Sequence, residues 1–280
     1  MKKTIIKTAC GLFLGWLALA QTNFAEHEYS VFNPHPDNKL TADGKRKLHN
    51  KDYPQPPRVE PKSDQELREW ARPPDGAVRL DFSKWKDTRQ WVAEDDVIVS
   101  RPAPRDLETV DEFGSCRVHV EWMAPADSGR SGQNRANSGV FLMSTYEVQI
   151  LDTYDNKTYP DGMAGALYSV KPPDANPLRP SGQWQYYDLW FKRPTFDNKG
   201  AMVTPACVTV YINGILVQDN IPFDGESVNI PRKPYKKHAD QLPFKLQYHN
   251  EQVSFRNVWI QSLDDDEVVS PAGRVGVFPK

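Results

Sequence analysis

Cysteine is scarce. The 280 residues hold three, Cys10, Cys116 and Cys207, and Cys10 sits inside an apolar leader. Two remaining thiols cannot build a disulfide scaffold, so a hydrophobic core must hold the fold. Both lie in strand-like segments, where two buried free thiols are the simpler reading even if export would permit a bridge. Net charge is nearly absent. The 35 basic and 37 acidic side chains leave −2, which gives no electrostatic case for nucleic acid or an anionic membrane as partner. No apolar run after the N-terminus is long enough to cross a bilayer. There is no glycine-rich phosphate loop, nucleophile elbow or H-E-x-x-H metal motif, and nothing points to a nucleotide cofactor. No long helical stripe and no internal repeat is visible, which disfavours a parallel α/β architecture.

The first residues, "MKKTIIKTACGLFLGWLALAQTNFAE", pair a basic start (Lys2, Lys3, Lys7) with a short apolar run from Ala9 to Ala20. Ala18-Leu19-Ala20 offers a small-x-small cleavage site, with Ala25 a second one. Residues 1–25 therefore read as a secretory signal peptide. The mature protein is expected to be exported, periplasmic or extracellular, with no membrane segment. Residues 26–74 are rich in Pro, Lys, Asp and Asn and read as an extended leader or surface wrap. Within them "SDQELREWA" predicts a short helix, with Ser63 as N-cap and Glu66 three residues later.

From Val78 the pattern changes to strand after strand. "VRLDF", "QWVAE", "DVIVS", "CRVHVEWM", "SGVFLM", "YEVQIL", "YYDLWFK", "CVTVYING", "ILVQDN", "FKLQYH" and "VSFRNVWIQSL" follow in order, separated by Gly, Pro, Asn and Asp. Asn213-Gly214 between apolar runs is a strong hairpin signal. This predicts one all-β sandwich over residues 75–263, followed by a tail over 264–280. Several strands are polar on one parity: Arg117, His119 and Glu121 in one, Glu147 and Gln149 in a second, Gln247 and His249 in a third. A solvated face would also be polar. His, Glu, Gln and Arg both donate and accept hydrogen bonds, which favours a concave face that meets a ligand. The eight Trp and eleven Tyr supply flat faces that stack on sugars or simply pack a core.

The run "NSGVFLMSTYEVQILDTYDNKTYPDGMAGALY", continued by "GQWQYYDLWFKRPTFDNKG", "PACVTVYINGILVQDN" and "LPFKLQYHNEQVSFRNVWIQSL", resembles the 3-keto-disaccharide hydrolase family, formerly a domain of unknown function. The resemblance implies a concanavalin-like jelly roll of two antiparallel sheets, one concave, in an exported protein acting on oxidised glycosides. This chain departs from the family pattern in three places. Ala136 stands where a glycine is frequent, and "LQYHN" replaces "LQDHG" at Tyr248 and Asn250.

A ketone at C3 of a sugar acidifies the hydrogen on C2. A base removes it, an enolate forms, and the group on C1 leaves by β-elimination. Water can then add, giving net hydrolysis. Such a site needs a base and a clamp on the enolate oxygen. On the resemblance, His249 is the first candidate for the base or a metal ligand, and Glu147 is the next. His119 and Glu121 are candidates for a mixed site that a divalent metal could occupy as Lewis acid. Arg135, Asn137, Gln149, Tyr168, Lys171, Gln247 and Arg256 are candidate substrate contacts. For Arg256 a structural ion pair is an equal reading. Asp152, Asp155, Asn156 and Asp161 could hold calcium, but Asx-rich turns commonly stabilise themselves. Two alternatives stay open: a sugar-binding module without catalysis, and an ordinary glycosidase using Glu121 and Glu147 as its carboxyl pair.

Overall fold

The structure, a computed structural model, describes residues 53–101, 105–227, 233–266 and 268. The signal-peptide reading over 1–25, residues 26–52 and most of the 264–280 tail lie outside the described residues.

The alternating runs become strands β1 (Val78–Arg79), β2 (Trp85–Lys86), β3 (Trp91–Glu94), β4 (Val97–Ser100), β5 (Leu107–Phe113), β6 (Cys116–Met123), β7 (Ser138–Leu142) and β8 (Tyr146–Ile150). Then come β9 (Gln185–Lys192), β10 (Thr195–Phe196), β11 (Met202–Thr204), β12 (Cys207–Ile212), β13 (Ile215–Pro222), β14 (Leu242–Leu246) and β15 (Ser254–Ser262). The larger sheet runs β13-β12-β9-β6-β15-β4-β3, with β1 added beside β15. The smaller runs β2-β5-β14-β7-β8, and β10 and β11 form a hairpin of their own. Every ladder is antiparallel. The expected jelly-roll sandwich is what the chain forms.

One parity of each strand makes the core. Val118, Val120 and Trp122 of β6 and Tyr187, Leu189 and Phe191 of β9 are buried, as are Val140 and Leu142 of β7 and Tyr146, Val148 and Ile150 of β8. Each such side chain contributes about 1.5–3 kcal/mol on burial. The sheets meet where the Tyr146 ring lies 5.7 Å from that of Phe191 and the Tyr187 hydroxyl donates to the Gln149 carbonyl at 2.9 Å.

The hairpin signal is borne out. Asn213 and Gly214 have φ of 49° and 78°, the left-handed pair a two-residue turn needs. The buried Asn213 amide also accepts from Tyr186 N and donates to Pro177 O and Gln185 Oε1. The predicted helix is present as α1 (Asp64–Trp70), with a reciprocal capping box between Ser63 and Glu66. Leu67 is fully buried against Ala71 and Tyr186, and Trp70 meets Tyr211 edge-on. Helix α1 therefore lies on the outer side of the larger sheet.

Two expectations about strands change. β5, "LETVDEF", is a strand beyond the alternating runs of the sequence. Its buried Leu107, Thr109 and Phe113 share one parity, but that row is broken by exposed Val110, Asp111 and Glu112, where its ladder with β14 slips between Pro243 and Lys245. Conversely, "FKLQYH" stops being ladder strand at Leu246. Gln247 makes one further backbone bond to Gly139, and His249 follows in an exposed loop.

Candidate functional site

The polar parities occupy two faces. In the larger sheet His119 pairs across from Asp188 and Trp259, and Glu121 across from Tyr186 and Arg256. In the smaller sheet Glu147 pairs across from Phe141, and Gln149 from Gly139. Phe141 in turn lies opposite Lys245, so Gln247, two residues on, continues that row. Both rows point away from the shared core. The single cluster of His119, Glu121, Glu147, Gln149, Gln247 and His249 expected from parity does not form, because β6 and β8 belong to different sheets. Glu121 and Glu147 accordingly cannot flank one glycosidic bond.

His119 and Glu121 form a buried charge network. His119 Nδ1 lies 2.9 Å from Asp188 Oδ1, and its Nε2 lies 3.6 Å from Glu121 Oε1. The imidazole stacks on Trp259 with centroids 5.4 Å apart. Burial works against its charge, yet the Asp188 and Glu121 carboxylates outweigh burial and push it up to about 9. Glu121 accepts from Arg256 Nε at 2.6 Å and Asn257 Nδ2 at 2.9 Å. Burial would raise the Glu121 carboxyl, but the neighbouring His119 and the bonds from Asn257 and Arg256 hold it below its ordinary value. A carboxylate tied down by two donors beside an imidazolium is a weak base. Among the described residues, no group of three or more His, Cys, Asp or Glu is arranged to hold a metal ion.

The Glu147 face has a different character. A Cβ at Gly139 would come within 2.6 Å of Glu147 Oε1 and 2.9 Å of Phe141 Cε2. The missing side chain is what lets the carboxylate lie across the sheet. Turned about its last bond, the Gln149 amide donates to Glu147 Oε1 at 3.1 Å and to Ser138 O at 3.3 Å. Asn137 donates to Gln133 O at 2.8 Å, and Gln133 donates to Thr158 Oγ1 and Gly162 O. These amides tie the face to the loop that follows β8. That loop returns alongside β8: Gln149 N donates to Ala166 O and Gly165 N to Gln149 O. It thereby delivers Tyr159 and Tyr168, whose hydroxyls are 3.0 Å apart. Both phenols are raised above their ordinary value, by burial first. Their mutual bond and the charges of Asp161 and Glu147 raise Tyr159 further. Glu147 and Asp161 also push Tyr168 up. Phenols in that state stay protonated at neutral pH and serve as donors.

The remaining candidates divide between these faces and the frame around them. Arg135 braces the loop through Asp152 (2.9 Å), Asp155 O and Ser181. Asn156 bonds Gly132 N, Gly132 O and Asp152 O, so the Asx-rich turn is self-stabilised. Lys171 pairs with Asp174. Arg256 has the structural pair read as its equal alternative. Among the described residues no hydrogen bond or ion pair joins His249 to either cluster. Sequence reasoning passed over Gln133 and Tyr159 and took Asp161 only as a calcium candidate. The available signal was a loop of Tyr, Asp and Gly running straight out of a strand with Glu and Gln on one parity.

Residues 69–261 match the model of one domain family, described as the 3-keto-alpha-glucoside-1,2-lyase-like domain. Among solved structures, a "putative glycosyl hydrolase" from Parabacteroides distasonis ATCC 8503 is 34% identical with a TM-score of 0.66. That match covers 75% of this chain and 93% of the other. A second chain of the same description and organism, 20% identical with a TM-score of 0.50, covers 72% and 98% and shares the fold. None of the curated proteins matches.

Proposed function

The chain belongs to the 3-keto-alpha-glucoside-1,2-lyase-like domain family, and from that membership we propose that it is an exported enzyme cleaving 3-keto-glycosides at the Glu147 face. Glu147 takes the proton from C2 of the oxidised sugar. The C2–H electron pair moves into a C2–C3 double bond and the C3 oxygen becomes an enolate. Tyr159 and Tyr168, protonated and adjacent, donate to that oxygen as the charge develops. Collapse of the enolate expels the C1 oxygen, which takes a proton, and leaves a C1–C2 double bond conjugated to the ketone. Addition of water to this enone completes net hydrolysis. Gln149 holds the carboxylate, and Gln149 and Asn137 offer amide groups to sugar hydroxyls.

The observation that carries this reading is a strand carboxylate beside two phenols kept protonated by burial and by neighbouring charge. A base and an enolate clamp are the two parts the chemistry requires. Glu121, held by Arg256 and Asn257 on the outer side of the other sheet, offers neither.

The test uses a 3-keto-disaccharide and its unoxidised parent in D2O. We expect release of free sugar from the keto form alone, with deuterium entering C2. Glu147→Gln should lower turnover by roughly a hundredfold or more while the melting curve survives. Turnover of the parent would instead establish an ordinary glycosidase, and binding without turnover a lectin-like module.

A further inference from the structure

The outer side of the larger sheet carries a second polar recess that the proposed chemistry leaves unused. Its cavity measures about 960 Å³, at the upper end of the range for small-ligand sites. The floor is the outer parity of β6, β9 and β15, namely Glu121, Tyr186 and Arg256 with Asn257. One wall is the end of α1 and the residues after it, and another is the turn carrying Trp184. Helix α1 is fixed in place by Leu67 below and by Trp259 Nε1 and Asn257 Nδ2, which both donate to Ala71 O.

We propose that this recess is a binding site for a neutral oligosaccharide of a few sugar units, separate from the Glu147 face. Three features support that class of ligand. First, half-buried Trp184 and buried Tyr186 line it, and aromatic surfaces take the C–H faces of sugar rings. The Arg256 guanidinium, 4.0 Å from the Trp184 ring centroid, fixes the indole. Second, the lining holds five arginines and five carboxylates. With no net field the recess has no preference for an anion or a cation. It does offer dense planar donors and acceptors, which suits vicinal hydroxyls. Third, Glu121 holds Arg256 through its Nε, so the guanidinium's remaining donors are set before a ligand arrives and little ordering cost remains. The β6 and β9 residues below are buried, so the floor is rigid.

The proposal does not depend on keto-sugar chemistry, and its test uses unoxidised probes. Maltotetraose and cellotetraose are titrated by calorimetry and by saturation-transfer NMR against the wild type, Trp184→Ala, Trp184→Phe and Glu147→Gln, each checked by melting. We expect at least one neutral probe to bind. Trp184→Ala should weaken it by about tenfold or more, the scale of a lost aromatic anchor, Trp184→Phe by less, and Glu147→Gln not at all. Binding of neither probe, binding that survives Trp184→Ala, or binding lost in Glu147→Gln overturns the proposal. So does tighter binding of an anionic tetra-galacturonate than of both neutral probes.

Discussion

Ala136 and Asn250 both have left-handed backbone, with φ of 51° and 59°. They are two of the three places where the sequence departs from the family pattern, and in both the pattern favours glycine, which reaches that conformation without strain. Asn tolerates it through its short polar side chain. Ala136 pays about 1–2 kcal/mol in backbone strain but buries its methyl completely, which returns about 0.8 kcal/mol. Ala136→Gly also enlarges the unfolded ensemble, at about 0.4–1 kcal/mol. These terms cancel, so Ala136→Gly should shift the urea midpoint very little, whereas β-branched Ala136→Val should lose about 1–3 kcal/mol. His119 gives a sharper test. Its folded pKa of about 9 lies above the ordinary value, so its charge contributes stability fully below about pH 6.5. That contribution is lost as pH rises through about 9. Urea midpoints should therefore fall between pH 7 and pH 10, and His119→Ala, which leaves Asp188 and Glu121 buried without their cation, should cost about 3–5 kcal/mol. A flat profile in that window would exclude a charged His119.

Single elements differ in how plainly the sequence announces them. α1 is short and depends on its capping box, so Ser63→Ala should cost about 0.5–2 kcal/mol. Because α1 walls the recess beside Trp184, the same variant should weaken neutral-oligosaccharide binding without slowing cleavage of keto substrate. Steady-state kinetics and calorimetry on one preparation separate the two. The cap, the Asn213-Gly214 turn and most strands were legible because their signals are local. β5 was not, since Asp111 on its buried parity and the exposed Val110 off it interrupt the alternation. The sorting of His119 and Glu121 from Glu147 and Gln149 was not legible either. Parity along a strand says which side chains share a face of that strand, but which sheet the strand joins is decided by pairings far along the chain. β6 pairs with β9 and β15, whereas β8 pairs with β7. The amide ladder from Gln133 to Glu147 was half legible: the strand residues showed, but the loop residues that meet them are brought in by the return at Gly165.

For the whole molecule, the core rather than a covalent staple sets stability. Cys116 and Cys207 are free thiols, and burial pushes the Cys116 thiol up to about 12, far from the thiolate needed for exchange. Melting temperatures should be equal with and without dithiothreitol. In the leaderless protein, Cys116 should react with a thiol reagent only in denaturant, and rapid labelling of two thiols in the native state would contradict the buried placement of β6.

The return of the chain at Gln149 also bears on how this scaffold can diversify. Gln149 N and O both bond the far end of the loop, at Ala166 and Gly165, so the intervening segment leaves and re-enters the sheet at one address. Closure cost grows only slowly with loop length. The segment can therefore be exchanged like a cassette, lengthened or recoded at the exposed Asp155 and Lys157, while Tyr159 and the register that aims Glu147 stay put. On the proposed chemistry, a grafted library confined to those positions would vary which glycoside is accepted and leave Glu147 and its two phenols as an inherited constant.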